Sequence, residues 1–169
     1  MDFEDIIRKR TAVRRFSNRK LEKEKLDKIL EAARLAPTAK NNQPIKIYVV
    51  NSEEGLEKIN KASRCIYGAQ TVLVVCGNKE EAYHKDNGHN TYEVDSCIIA
   101  THIMLEATNI GVDNIWIEVF DESILREEFN IPNELIPICL LPIGYKEETC
   151  PENPNHNIRK EISEIVEYV

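Results

Sequence analysis

Residues 33–50 read ARLAPTAKNNQPIKIYVV, and three kinds of local structure meet there. The leading residues close a period that begins at Leu21. In LEKEKLDKILEAARLA (21–36), Leu26, Ile29, Leu30 and Ala33 recur at helical spacing, and Pro37 stops the run. The trailing residues, IKIYVV (45–50), are short, apolar and rich in β-branched side chains, which predicts a strand buried on at least one face. Between them PTAKNNQP (37–44) is crowded with side-chain amides. A helix, a polar turn and a strand in immediate succession predict a mixture of α and β structure.

The rest of the chain extends that alternation without internal repeats or low-complexity segments. Residues 2–9 read as a short helix with Phe3, Ile6 and Ile7 on one face, and 53–62 as another helix. TVLVVCG (71–77) is a second strand. From Thr91 to Ile110 the chain is apolar around much of a helical circumference, through Val94, Cys97, Ile98, Ala100, Thr101, Met104, Leu105 and Ala107, and it ends at Gly111. That pattern predicts a central buried helix. NIWIEVF (114–120) reads as a third strand, DESILREEFN (121–130) as a helix opened by an acidic cap, and IPICLLPIGY (136–145) as a fourth strand. The expected class is α+β.

After Tyr145 the pattern fails. KEETCPENPNHNI (146–158) is polar and shows neither period, before the helical RKEISEIVEYV (159–169). A compact domain rarely spends so many residues on structureless chain. Extended, the segment reaches about 40 Å at ~3.3 Å per residue, enough to cross a neighbouring subunit. It reads either as a floppy tail or as an arm, residues 146–169, ordered on a partner that covers Ile162, Ile165 and Val166.

Composition sets the outer bounds. A chain of 169 residues, 42% hydrophobic and 30% charged, fits one globular domain over 1–169, and it needs no disulfide or structural metal to fold. Cys76, Cys97 and Cys139 lie in apolar runs, and no two of the five cysteines form a CxxC pair. They read as free thiols in a reducing compartment. With no signal-type core and no bilayer-length apolar run, the expected location is the cytoplasm, away from membrane. A net charge of −7 argues against nucleic acid as a partner. His84, Asp86 and His89 sit in a loop at a spacing that fits no common zinc pattern, His102 reads as a hydrogen-bonded core histidine, and no cysteine context marks a nucleophile. The basic cluster RKRTAVRRF (8–16), on charge alone, is a solvated face balanced by neighbouring acids.

Three segments taken together say more. RKRTAVRRF, then ARLAPTAKNNQPIKIYVV, then IWIEVFD (115–121) followed by LPIGY (141–145), resemble the nitroreductase family of FMN-dependent oxidoreductases, in order and over nearly the whole chain. The resemblance implies a mostly antiparallel sheet flanked by helices and an intertwined homodimer. It implies FMN as cofactor, NADH or NADPH as hydride donor, and ping-pong transfer to a nitroaromatic, a quinone or a related small acceptor. It also assigns residues. Arg10 would take the phosphate and Arg14 would lie near the pyrimidine edge of the isoalloxazine, where a cation favours reduction. Ala12 replaces a common serine, so Thr11 or backbone amides would stand in for the serine hydroxyl. Pro37, Thr38, Ala39 and Asn41 would meet the heterocycle from the partner subunit. Ile117, Glu118 and Val119 would place a main-chain amide at the reactive nitrogen, with valine where glycine is often found. Arg159 would bring a second phosphate ligand on the arm, while Asn157 stands where a lysine often does. No protein acid, base or metal is expected to carry the chemistry, which resides on FMN.

Alternatives remain at this point. Pro37 and Asn41 also fit a capped helix end with an Asx-type turn, and Glu118 also fits an exposed strand position. A flavin-dependent dehydrogenase or dehalogenase on the same scaffold, or a non-catalytic FMN store, would share the motifs.

Overall fold

The computed structural model describes residues 2–169, so Met1, the first residue of the expected domain, lies outside the described residues. At its centre is β2 (Thr71–Asn78), whose residues Thr71 to Gly77 are all buried. It pairs antiparallel on one side with β1 (Ile45–Val50) and on the other with β4 (Leu135–Gly144), and β4 carries the short β3 (Asp113–Asn114) at its far edge. The order is β1-β2-β4-β3, antiparallel throughout.

Side-chain alternation divides the interior into two layers. Val72, Val74 and Cys76 point to one face of the sheet, where α3 (Glu53–Ala62) and α5 (Glu122–Phe129) contribute Ile59, Ala62 and Leu125. Leu73 and Val75 point to the other, against Ile29 and Ala33 of α2 (Lys23–Leu35) and Ile99, Ala100, Ile103 and Ala107 of α4 (Tyr92–Asn109). Because β2 is covered on both faces it reads as a continuous apolar run rather than an alternating one. The mixed α+β class and the flanked antiparallel sheet agree with the sequence reading.

Local chemistry sets the element ends. Ala36, which precedes Pro37, adopts ψ 141, as pre-proline sterics favour, and α2 ends there. Asp121 caps α5 by accepting from the Ser123 and Ile124 amides at 2.9 and 3.1 Å. Gly77 permits a close approach: a Cβ there would lie 2.8 Å from the Tyr92 carbonyl and from Ser96 Oγ. Its absence lets the first turn of α4 rest on β2.

Two expectations change. The strand expected over 114–120 shrinks to β3 and a single bridge between Ile117 and Leu140. Beyond it the chain turns outward, because the Val119 carbonyl accepts from Ser63 Oγ at 2.6 Å and Trp116 Nε1 donates to Glu118 Oε1 at 2.8 Å. The helix expected over 159–169 is one 3-10 turn, Ile162–Glu164. Ile162, Ile165 and Val166 are covered by no apolar partner among the described residues and stay exposed, and a short helix without a packed face is marginal. The first part of the arm, by contrast, docks on its own chain. The Lys146 amide donates to Asp113 Oδ2 at 2.8 Å, the Glu147 amide to the Arg15 carbonyl at 3.1 Å, and a His156 ring nitrogen meets the Arg8 carbonyl at 2.8 Å. Among the described residues no helix is long and apolar enough to cross a membrane.

Candidate functional site

Arg10 follows α1 (Phe3–Lys9), and from there the chain runs extended along the edge of the sheet. Ala12 bridges Asn114 in parallel, the Val13 amide donates to the Asn114 carbonyl at 3.2 Å, and the Phe16 amide donates to the Tyr67 carbonyl at 2.9 Å. Val13 and Phe16 are buried, which leaves Arg14 and Arg15 outside and Arg10 half-buried. The Arg159 guanidinium comes to the same place from the other end of the chain. Burial, and after it the Arg159 charge, hold Arg10 below the ordinary arginine value.

The carboxylates sort the arginines. Arg8 pairs with Glu4 at 2.6 Å and Arg15 lies 4.0 Å from Glu147. Among the described residues Arg10, Arg14 and Arg159 have no carboxylate within ion-pair distance. A half-buried Arg10 guanidinium with the exposed Arg159 nearby and no counter-charge is an arrangement that an anion would complete favourably. The arm and the end of α1 enclose a cavity of about 340 Å³ lined in part by Arg8, Lys9, Thr11, Ala12, Glu152 and Asn157, while Arg10, Arg14 and Arg159 are not among its lining residues. Thr11 Oγ1 is buried and makes no hydrogen bond. Ala12 offers no hydroxyl.

The polar turn is held in an uncommon backbone shape. Lys40, Asn41 and Gln43 have φ of 51, 55 and 53, all left-handed. Such a conformation costs ~1–3 kcal/mol for a non-glycine residue, with asparagine at the low end. Several contacts hold it in place. The Gln43 amide donates to Thr38 Oγ1 at 3.0 Å, Asn42 Nδ2 donates to the Glu81 carbonyl at 3.0 Å, and the Ala39 amide donates to Asp95 Oδ1 at 2.8 Å. The exposed Lys40 places its ammonium 4.1 Å from the centre of the Tyr83 ring, a cation–π contact at the surface. Pro37 and Asn41 are exposed, and the Asn41 carboxamide makes no hydrogen bond among the described residues.

Past the end of the Ile117 bridge, Glu118 and Val119 are exposed, Val119 at 73%. The Ile117 side chain itself is buried in the core. Among the described residues neither the Glu118 nor the Val119 amide has an acceptor, so this short stretch presents two N–H groups outward.

The structure brings Arg10 and Arg159 together, and the segment that follows Arg10 and the polar turn are anchored toward different ends of α4. The turn is tied to Asp95 at the start of α4, whereas Asn114, beside Ala12 and Val13, donates to the Met104 carbonyl and Thr108 Oγ1 near its end. At ~1.5 Å per residue the two lie about 14–20 Å apart along α4 within one chain.

Other groups stay out of this arrangement. His84 Nε2 contacts the Lys79 carbonyl and Asn90 at 3.0 and 2.9 Å, and His102 Nδ1 contacts the Ile98 carbonyl at 2.9 Å. No metal-binding group of three His, Cys, Asp or Glu occurs among the described residues. Burial pushes the Cys76 thiol up to about 12 and raises Cys97 and Cys139 as well, so these are poor nucleophiles. Three contributors escaped sequence reasoning: Asp95, Ser63 and Trp116. Only Asp95 left a trace, as an acid on the otherwise apolar face of the 91–110 helix.

The fold and its paired motifs define a class before any closer kinship. A solved structure of a nitroreductase family protein from Clostridium difficile 630 superposes with a TM-score of 0.93 at 38% identity, covering 99% of this chain and 98% of the other. One from Clostridium novyi NT gives 0.81 at 30% identity, covering 88% and 87%. A curated relative from Methanothermobacter thermautotrophicus, provisionally named NADH dehydrogenase/NAD(P)H nitroreductase, is 31% identical over 156 residues, which cover 88% of this chain and 79% of the relative. The profile of the nitroreductase family matches residues 7–67 and 63–145. The chain belongs to the nitroreductase family.

Proposed function

We propose that the protein is an FMN-dependent oxidoreductase that takes hydride from NADH or NADPH and delivers electrons to a nitroaromatic, a quinone or a related small acceptor by a ping-pong cycle. The observation that carries this reading is the half-buried Arg10 beside Arg159 with no carboxylate on either. A phosphate dianion is the group such a pair fits, because guanidinium forks bind phosphate oxygens in pairs. Support comes also from the solved structure of an Exiguobacterium sibiricum protein in complex with FMN, which shares the fold at a TM-score of 0.87 and 22% identity.

Bound FMN supplies the chemistry, accepting hydride and releasing electrons to a second substrate. This chain's residues bind and orient. Arg10 and Arg159 would hold the phosphate, and Arg14 would lie by the pyrimidine edge. The free amides at Glu118 and Val119, next to Ile117, would face the reactive nitrogen. Val119 would narrow the space above it. Thr11, whose buried hydroxyl has no partner among the described residues, or backbone amides would stand in for the hydroxyl that Ala12 lacks. Pro37, Thr38, Ala39 and Asn41 would complete the ring site.

The turn is anchored at the start of α4 and the Ala12–Asn114 segment near its end, which suits a shared site whose turn comes from a different chain than its arginines. A second copy would supply it. Exposed Phe3, Ile7, Val94, Ile162 and Ile165 offer apolar surface for such a homodimer. The five cysteines, all thiols, suit the reducing cytoplasm.

Steady-state oxidation of NADH and NADPH with a quinone acceptor tests the proposal. Turnover that requires FMN, with parallel double-reciprocal lines, is expected. A flavin-loaded protein that oxidises neither nucleotide would reduce it to a flavin carrier.

A further inference from the structure

Asp95 is the one charged side chain among the described residues that is buried, at 2% exposure, and no cation lies within ion-pair distance of it. Its two oxygens have separate partners. Oδ1 accepts from the Ala39 amide at 2.8 Å, and Oδ2 accepts from the Thr91 hydroxyl at 2.8 Å. Removing a carboxylate from water without a counter-ion is costly, so those two bonds and the amino-terminal end of α4 are what offset it. Asp95 lies in the first turn of α4, its own amide donating to the Thr91 carbonyl at 2.9 Å. Gly77 seats that turn on the sheet.

Ala39 is the residue immediately before left-handed Lys40. Its tether therefore fixes the turn where the strain begins. Moving the turn away would leave both the Ala39 amide and Asp95 Oδ1 without their partners. We infer that Asp95 is a positioning residue for the flavin ring: it anchors residues 38–43 to the rigid start of α4 in the single conformation that can face the heterocycle. The inference rests on the FMN reading, but it concerns the ring end of the site and not the phosphate end.

The experiment separates those ends. Riboflavin and FMN binding are measured by quenching of flavin fluorescence for the wild type, Asp95→Ala, Asp95→Asn and Arg10→Ala, and hydrogen exchange is followed in the flavin-free proteins. Loss of a hydrogen bond to a charged group predicts that Asp95→Ala weakens both flavins equally, by about tenfold to a hundredfold. Arg10→Ala should weaken FMN only. Asp95→Asn keeps an acceptor for Ala39 and can donate to Thr91, so it should stay within about threefold of wild type. Amides of residues 41–43 should exchange faster in Asp95→Ala while those of β2 keep their protection.

Wild-type binding and wild-type exchange in Asp95→Ala would overturn the inference, as would a loss confined to FMN. Failure of Asp95→Asn to rescue would assign the effect to charge and overturn it too. General loss of protection through β2 would make Asp95 a folding residue instead. If the wild type bound neither flavin the FMN reading would fail, and exchange at 41–43 would still decide whether Asp95 holds the turn.

Discussion

Replacing Arg10 by alanine should weaken the FMN complex without weakening the flavin-free protein. In the FMN complex the substitution removes charge-assisted hydrogen bonds to a phosphate, and a hydrogen bond to a charged group contributes ~1.5–3 kcal/mol. At ~1.4 kcal/mol per decade, FMN should bind about tenfold to 150-fold more weakly. Riboflavin, which has no phosphate, should bind as to the wild type. In the flavin-free protein Arg10 is half-buried beside Arg159 with no carboxylate to answer it, and burial and then that neighbour lower its hold on the proton. A base whose value falls on folding is destabilised whenever it is charged, and arginine is charged throughout the working range. Arg10→Ala should therefore leave the flavin-free melting temperature unchanged or raised, while the increase on adding FMN shrinks as mass action requires. Thermal melts with and without saturating FMN, beside fluorescence titrations with both flavins, read every part of this. Arg15→Ala is the control, because Arg15 is exposed and 4.0 Å from Glu147. Equal losses in the two variants, or a flavin-free Arg10→Ala that melts several degrees lower, would refute the reasoning and return the cluster to a solvated face.

Gly77→Ala puts a methyl group 2.8 Å from the Tyr92 carbonyl and Ser96 Oγ, and overpacking of this kind costs ~1–3 kcal/mol. A lowered urea midpoint at unchanged m-value is expected; an unchanged midpoint would show that α4 does not bear on β2 there. Glu22 accepts from the Tyr145 hydroxyl, and that bond first, then Arg19, lowers it from 4.5 to about 2. Since its folded value is depressed, its contribution is present above about 4.5 and is lost as pH falls toward about 2. In Tyr145→Phe the Glu22 carboxyl, followed by carbon NMR, should titrate at higher pH, and an unmoved midpoint would contradict the assignment. Removing residues 158–169 deletes Arg159 and the exposed Ile162, Ile165 and Val166 but spares the contacts of 146–156 with the chain's own Asp113, Arg15 and Arg8. Sedimentation should then show monomer without bound flavin, and a yellow dimer would make the last residues an ordinary tail.

Where a segment's fate depends on its own side chains, the sequence disclosed it. The unbroken apolar run at 71–77 is β2, buried on both faces; the 21–36 period is α2, stopped by Pro37; and Asp121 caps α5 as an acidic cap should. Where the fate depends on a distant partner, it did not. Nothing in NIWIEVF shows that Ser63 will take the Val119 carbonyl and turn the chain off the sheet. The period of Ile162, Ile165 and Val166 promises a helix, but the chain provides no surface to bury it on. Within the candidate site, the arginines and the amide-rich turn were legible because charge and composition mark them. The division of Arg10, Arg14 and Arg159 from the other arginines followed from the family resemblance and not from charge, and the coordinates add that Arg8 and Arg15 are the ones beside carboxylates. Asp95 was hidden because a single acid in an apolar helix has no pattern to belong to, and its partner Ala39 is 56 residues away.

The central claim is that these residues make an FMN site, and an absorbance spectrum tests it most directly. Protein purified, incubated with excess FMN and desalted should remain yellow, with flavin bands at a stoichiometry of one per chain, because each of two equivalent sites in a homodimer would draw its arginines from one copy and its turn from the other. Protein that emerges colourless from that treatment would contradict the account.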